Sequence, residues 1–300
     1  PKIFETGRHY DAFCVFDADN LVHLDFLAVM NTRLMKGQKV LQGYLSAKNP
    51  VDTWVSGTFA IAFWTVNHLW HLGKYNLGLS SCLGGTGMCI SADIVREFGW
   101  GCDCLTEDME FSMKCLSHGI RTCWVHDAII YDEKPLTFMA SWRQRKRWAQ
   151  GQFDCSERYI PILMKEGFKR HSIVVLDGIM QLLQNYFLLI SAFYLVMTYI
   201  NMFYPCFTVV LYNDALVPRQ FWSVLGTIQY VLPLIVLLQI EVPAKIYLYW
   251  LIYPVFMYSW VPVTFLGWIH RHEKQWVHTI HTRSMQFQAA SLTRKKEIDS

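Results

Sequence analysis

Residues 11–16 (DAFCVF) form a short apolar run rich in β-formers, broken by Asp17-Ala18-Asp19-Asn20, which predicts a buried strand ending in an acidic loop. Helical periodicity follows from Leu24 to Lys36, and Val40 to Tyr44 reads as a second strand. Asp52 to Leu72 is dense in aromatics (Trp54, Phe59, Phe63, Trp64, Trp70) and predicts a helix, either at a membrane surface or in a core, since the two patterns read alike. Gly84-Gly85-Thr86-Gly87 marks a tight loop before strand-like Met88–Ser91. Thr106-Glu107-Asp108 opens a helix through Ser117, with Thr106 as its expected N-cap and acids in the first turn. Residues 120–131 (IRTCWVHDAIIY) predict a strand pair. Strands alternating with helices imply an α/β domain whose functional groups sit at strand ends.

Beyond position 171 the pattern changes. Three charge-free runs follow: Gly178–Asn213, Gln220–Ile240 and Ile246–Ile269. A spanning helix needs roughly 20 apolar residues, so the second and third each suit one span. The first is too long for one. It fits an interfacial helix leading into a span near 182–204, or two short spans meeting at Tyr204-Pro205. The expected division is therefore a polar domain over 1–171, transmembrane helices over 172–269 (about 182–204, 221–240 and 246–268) and a basic tail over 270–300.

Charge supports this division. Of 51 charged residues, 37 lie in 1–171, nine in 270–300 and five between. Overall, 53% of residues are hydrophobic and only 17% charged, below the roughly 25% of soluble domains, which excludes a wholly soluble enzyme, a disordered chain and a disulfide scaffold. Arg143, Arg145, Lys146 and Arg147, then Lys165, Lys169 and Arg170, precede the apolar block, and basic flanks favour the cytoplasmic side. Arg143, Arg145 and Lys146 read as facing lipid headgroups; a nucleic-acid partner would need a basic face without spans. The nine cysteines contain no C-x-x-C and read as reduced thiols. The chain begins at Pro1 and enters its first strand within about a dozen residues, which reads as a domain incomplete at its N-terminus.

Three motifs carry chemistry. Asp17-x-Asp19 offers two hard carboxylates that suit Mg²⁺ or Mn²⁺ bridging nucleotide phosphates, although the same pattern occurs in solvated turns. Asp108, at a helix start, can accept a proton from an attacking hydroxyl; the alternative is an acidic first turn complementing the helix dipole. Gln144-x-x-Arg147-Trp148 combines a forked donor for a diphosphate leaving group with an indole face on which a sugar can stack. Asp25 reads as solvated, Lys48 as a turn lysine, His126 as a satisfied core histidine, and the tail histidines as interfacial.

Taken in this order ahead of apolar helices, FDADN (16–20), GGTGM (84–88), LTEDMEF (105–111) and WRQRKRWAQGQ (142–152) resemble the processive membrane glycosyltransferases of family 2. That family includes cellulose, hyaluronan, chitin and poly-N-acetylglucosamine synthases, and RQRKRWAQGQ is most similar to the last. The resemblance implies a GT-A-type, Rossmann-like domain followed by interfacial and transmembrane helices. It implies a UDP-sugar donor, a polysaccharide or glycolipid acceptor, a multi-pass protein of the cell membrane with its catalytic domain in the cytoplasm, and room for an accessory membrane subunit. Asp108, with Glu107 beside it, would be catalytic, Asp108 as general base of an inverting transfer. Asp17 and Asp19 would hold the metal and, with Gln144 and Arg147, the donor diphosphate. Trp148, Gly84, Gly85 and Thr86 would shape the acceptor site. Trp276 and Thr279 would close over the nucleotide. The family's aspartate for the nucleotide base has no counterpart here, so this chain alone is not expected to bind the sugar nucleotide fully. Two other readings remain: a single transfer to a lipid acceptor, and a transporter with a cytoplasmic domain, against which the charge-free runs speak.

Overall fold

A computed structural model describes residues 9–204 and 219–273. Its centre is a five-stranded mixed sheet in the order β1-β4-β3-β5-β2. The strands are β1 (Ala12–Val15), β2 (Leu21–Val22), β3 (Val40–Ala47), β4 (Met88–Ser91) and β5 (Thr122–Asp132). Only β3 and β5 run parallel; β1–β4, β3–β4 and β2–β5 are antiparallel. Strand β3 is buried along its whole length, as expected of a central strand covered on both faces. The expected strand pair at 120–131 is instead one strand. Its register against β3 jumps from Gly43–Val125 to Tyr44–Ile129, so an irregularity at 126–128 gives the sequence its broken appearance.

One sheet face packs Leu41, Leu45, Val125 and Ile130 against Phe26 and Met30 of α1 (Phe26–Met35). The other packs Val40, Met88 and Ile90 against Ile94 of α4 (Ala92–Phe98) and Phe111 of α5 (Glu107–Ser117). Helix α2 (Trp54–Thr65) starts in a capping box between Thr53 and Ser56 and continues through a π-helical turn, Val66–His71, into α3 (Leu72–Asn76). It is a core helix rather than a surface one. Trp64 Nε1 donates to Ser46 Oγ on the sheet side, and Val55, Phe59 and Ala60 are buried with Tyr249, Tyr253 and Phe256 on the other.

Helix α6 (Phe138–Lys169) is followed by His171, which takes a positive φ, and by Ser172, whose hydroxyl caps α7 (Ile173–Phe203). The long first apolar run is thus one helix as far as Phe203, starting well before the expected 182; residues 205–218 lie outside the described part. The remaining helices are α8 (Arg219–Gln239), α9 (Lys245–Tyr258) and α10 (Trp260–Ile269). Of the three expected spans, two correspond to stretches long and apolar enough to cross a membrane, Ile173–Asn201 and Lys245–Ile269; the apolar part of α8, Val224–Gln239, is shorter.

Helix α9 lies on α2, where Gly57 faces the ring of Tyr249, and α10 lies on α6, where Gly267 faces Ala149. Lys74 of α3 pairs with Asp177 of α7 at 2.7 Å, both largely buried. The apolar helices and the sheet domain therefore share one packed body.

Candidate active site

The acidic loop after β1, the end of β5 and the glycine loop before β4 meet at one end of the sheet. Asp17, Asp19 and Asp132 bring carboxylate oxygens within 4.8 Å of one another, the one such group of potential metal ligands among the described residues. Three hard oxygen donors suit Mg²⁺ or Mn²⁺. The loop is braced from Thr86, whose Oγ1 accepts from the Asp17 amide at 3.1 Å. The Asn20 carboxamide, oriented to satisfy its neighbours, accepts from Thr86 Oγ1 and donates to Asp19 Oδ1 at 3.1 Å and Asp132 Oδ1 at 3.2 Å.

Two lysines lie against this acidic cluster. Lys134 Nζ lies 2.9 Å from Asp132 Oδ2 and 3.4 Å from the centroid of the Phe63 ring. Lys48, expected to be a turn lysine, is buried just after β3. Its ammonium pairs with Glu133 at 3.0 Å and donates to the Asp19 carbonyl at 2.7 Å. Such partners offset the cost of taking an ammonium out of water.

The glycine loop joins this cluster to the second motif. Gln42 of β3 accepts from the Gly84 amide at 2.8 Å and donates to the Thr86 carbonyl at 3.0 Å. Gly85 has φ 79°, and a Cβ there would lie 3.5 Å from Asp108 Oδ2. Asp108 thus faces the loop whose next residue braces the aspartates. Burial pushes its carboxyl up to about 7, and the neighbouring Glu107 pushes in the same direction; the Met109 amide, donating at 2.7 Å, and the Arg147 guanidinium pull the other way. A carboxyl poised near neutrality can exchange a proton with an acceptor hydroxyl.

The N-terminus of α5 is built otherwise than the sequence predicts. Thr106 occupies the N-cap position, but its hydroxyl makes no capping bond. Instead Glu110 Oε2 reaches back to the amides of Asp103 (2.7 Å) and Cys104 (2.8 Å). Thr106 packs instead against Gly151 of α6.

Helix α6 supplies the third motif. Gln144, Arg147 and Trp148 fall on one face by their i, i+3, i+4 spacing. Gln144 Oε1 and Arg147 Nε are buried without a hydrogen-bond partner. Trp148 lies with Phe59 (6.1 Å between centroids) and Phe63 (6.3 Å). Phe63 therefore touches both the indole of Trp148 and the ammonium held by Asp132. Of the basic residues expected to face headgroups, Arg143 is exposed but Arg145 is fully buried, because its guanidinium fills an aromatic niche on α9 and α10.

Asp25 is exposed, as expected. His126 accepts from Trp124 Nε1 at 3.2 Å and stacks edge-on with Tyr44, as a satisfied histidine does. Trp276 and Thr279 lie outside the described residues. Asp132, Gln42 and Lys134 lie within the candidate site without having been singled out in the sequence. An acid ending a strand, and a glutamine within the apolar run VLQGYL, are the signals that mark the first two.

The profile of the family described as Glycosyl transferase family group 2 matches residues 12–268. The probable glycosyltransferase YdaM of Bacillus subtilis is 26% identical over 144 residues, covering 47% of this chain and 34% of that protein. The chain thus spans about a third of the length of this curated relative. The mannosyltransferase PcManGT of Pyrobaculum calidifontis, solved with GDP-Man and Mn²⁺, superposes with a TM-score of 0.44 at 12% identity, over 91% of this chain and 65% of that one.

Proposed function

This chain belongs to glycosyl transferase family group 2, and from that premise we propose that it moves a sugar, with inversion, from a UDP-sugar to the growing end of a β-linked polysaccharide beside the bilayer and contributes to its translocation. The GT-A-like fold comes with the family; the transfer itself, its donor, its acceptor, its stereochemistry and the translocation are our reading. The observation that carries it is the loop 84–87, which braces the acidic loop through the bonds of Thr86 to the Asp17 amide and Asn20 and faces Asp108 at Gly85.

In this reading Asp17, Asp19 and Asp132 hold Mg²⁺ or Mn²⁺. Bound there, the cation supplies positive charge against the donor diphosphate. Asp108 takes the proton of the acceptor hydroxyl as its oxygen attacks the anomeric carbon and the bond to the diphosphate breaks. Arg147 donates to the departing diphosphate, and Gln144 orients it. Trp148 forms a platform for the acceptor sugar, held in place by Phe59 and Phe63. Backing of that platform by the apolar helices favours a membrane-proximal acceptor, which also suits a single transfer to a lipid. The experiment supplies labelled sugar nucleotides to the full-length protein in membranes, with Mg²⁺, Mn²⁺ or chelator, and sizes the product. A cation-dependent ladder supports the polymer reading and a single glycolipid the alternative. Substrate transport with no nucleotide cleavage overturns both.

A further inference from the structure

The residue between Gln144 and Arg147 that points away from the site is its tie to the apolar helices. Successive helical residues are turned by about 100°, so Arg145 leaves the face shared by Gln144, Arg147 and Trp148. Its side chain, with no exposed surface, ends where α9 gives way to α10. That break has a covalent cause. Pro262 has no amide hydrogen to offer the Tyr258 carbonyl, and its ring crowds the preceding turn, so the helix is interrupted at Ser259.

Arg145 Nη1 donates to Ser259 Oγ at 2.8 Å and, more weakly, to the Phe256 carbonyl at 3.5 Å. Ser259 Oγ in turn donates to the Phe256 carbonyl at 2.6 Å. The guanidinium lies 4.5 Å from the Phe256 ring centroid, 5.1 Å from Trp260 and 5.8 Å from Phe138. A cation at the C-terminal carbonyls of α9 is also favoured by the helix dipole. Phe256 continues the contact to Phe59 at 5.1 Å, and Phe59 touches Trp148. The helix break is thus connected to Trp148 by two routes, along one turn of α6 and through Phe256 and Phe59.

We propose that Arg145 is a positioning residue that sets the acceptor platform, Trp148, by docking α6 into the α9–α10 break, so that displacement of these apolar helices is felt at the acceptor end of the site before the donor end. The proposal rests on the functional reading above. It assigns Arg145 no contact with substrate.

The test uses full-length protein in membranes and the variants Arg145→Met, Arg145→Lys and Ser259→Ala. Arg145→Met keeps an apolar stem among the rings but loses the donors. It is expected to raise the acceptor KM by roughly tenfold, the loss of about one charge-assisted bond, while kcat and the donor KM stay within about twofold. Arg145→Lys should recover part of this, since an ammonium keeps the charge but not the planar fork. Ser259→Ala should shift the same constant less, and tests the contact even if Arg145→Met does not fold. Hydrogen exchange gives a readout independent of turnover: peptides covering 144–150 and 256–263 should exchange faster in each variant, with β3 and β5 unchanged. Unchanged acceptor KM, equal losses for donor and acceptor, or faster exchange throughout the sheet would each overturn the proposal. If the wild type cleaves no sugar nucleotide, the functional reading falls, and the docking role is still decided by the exchange pattern.

Discussion

The ammonium of Lys134 lies 3.4 Å from the centre of the Phe63 ring while pairing with Asp132 at 2.9 Å, so one side chain connects the aspartate cluster to the aromatic wall behind Trp148. The ammonium also competes with any cation for Asp132. Lys134→Met should therefore bind Mn²⁺ more tightly, by roughly three- to tenfold, as read by Mn²⁺ relaxation of solvent water. Without cation, it should be less stable by about 1–3 kcal/mol, because a carboxylate loses its partner. Unchanged Mn²⁺ affinity would show that Asp132 is not a ligand.

Thr86 bonds the Asp17 amide and Asn20 with the same hydroxyl. Thr86→Val keeps the shape and removes both bonds, at about 0.5–1.5 kcal/mol each. We expect Mn²⁺ affinity to fall roughly fivefold or more by calorimetric titration, with Thr86→Ser restoring most of it. This hydroxyl braces the acidic loop 17–20.

Asp108 must be ionised to act as a base, and burial raises its carboxyl to about 7. Below that pH the protonated form dominates, so kcat/KM should fall about tenfold per pH unit on the acid side and level off above it. Glu107 raises the Asp108 value and Arg147 lowers it. Glu107→Gln should therefore move the acid limb to lower pH and Arg147→Met to higher pH, measured as rate against pH at saturating cation. A limb that stays fixed in both variants would assign it to another group.

A Cβ on Gly151 would lie 2.6 Å from the Thr106 side chain and 2.7 Å from its amide nitrogen. Gly151→Ala should push α6 away from the start of α5, separating Arg147 and Trp148 from Asp108. The expected cost is about 1–3 kcal/mol in thermal or denaturant unfolding, with a fall in kcat larger than the stability loss explains.

Local pattern was enough to place β1, α1, β4 and α5 within a residue or two, because each has a clean apolar period and a polar stop. It could not decide whether α2 faces lipid or core: TFAIAFW is apolar all round, and only the packing of Phe59 against Phe256 and Trp64 against Ser46 answers that. Asp17, Asp19 and Asp108 stand out as candidates in the sequence because they are acids at strand and helix ends. Asp132 lies between Tyr131 and Glu133-Lys134, where composition suggests an ordinary solvated exit from a strand; its place in the acidic cluster comes from parallel pairing with β3, a long-range relation. Arg145 was misread for the same reason. Within WRQRKRW nothing distinguishes one arginine from its neighbours until α9 and α10 fold against α6.

The most direct test of a single cation-dependent transfer site is Asp108→Asn in the full-length protein, assayed in membranes with labelled sugar nucleotide and Mn²⁺. The account predicts transfer reduced by at least about a hundredfold, with nucleotide affinity within about twofold of wild type. Transfer at the wild-type rate by this variant would contradict it.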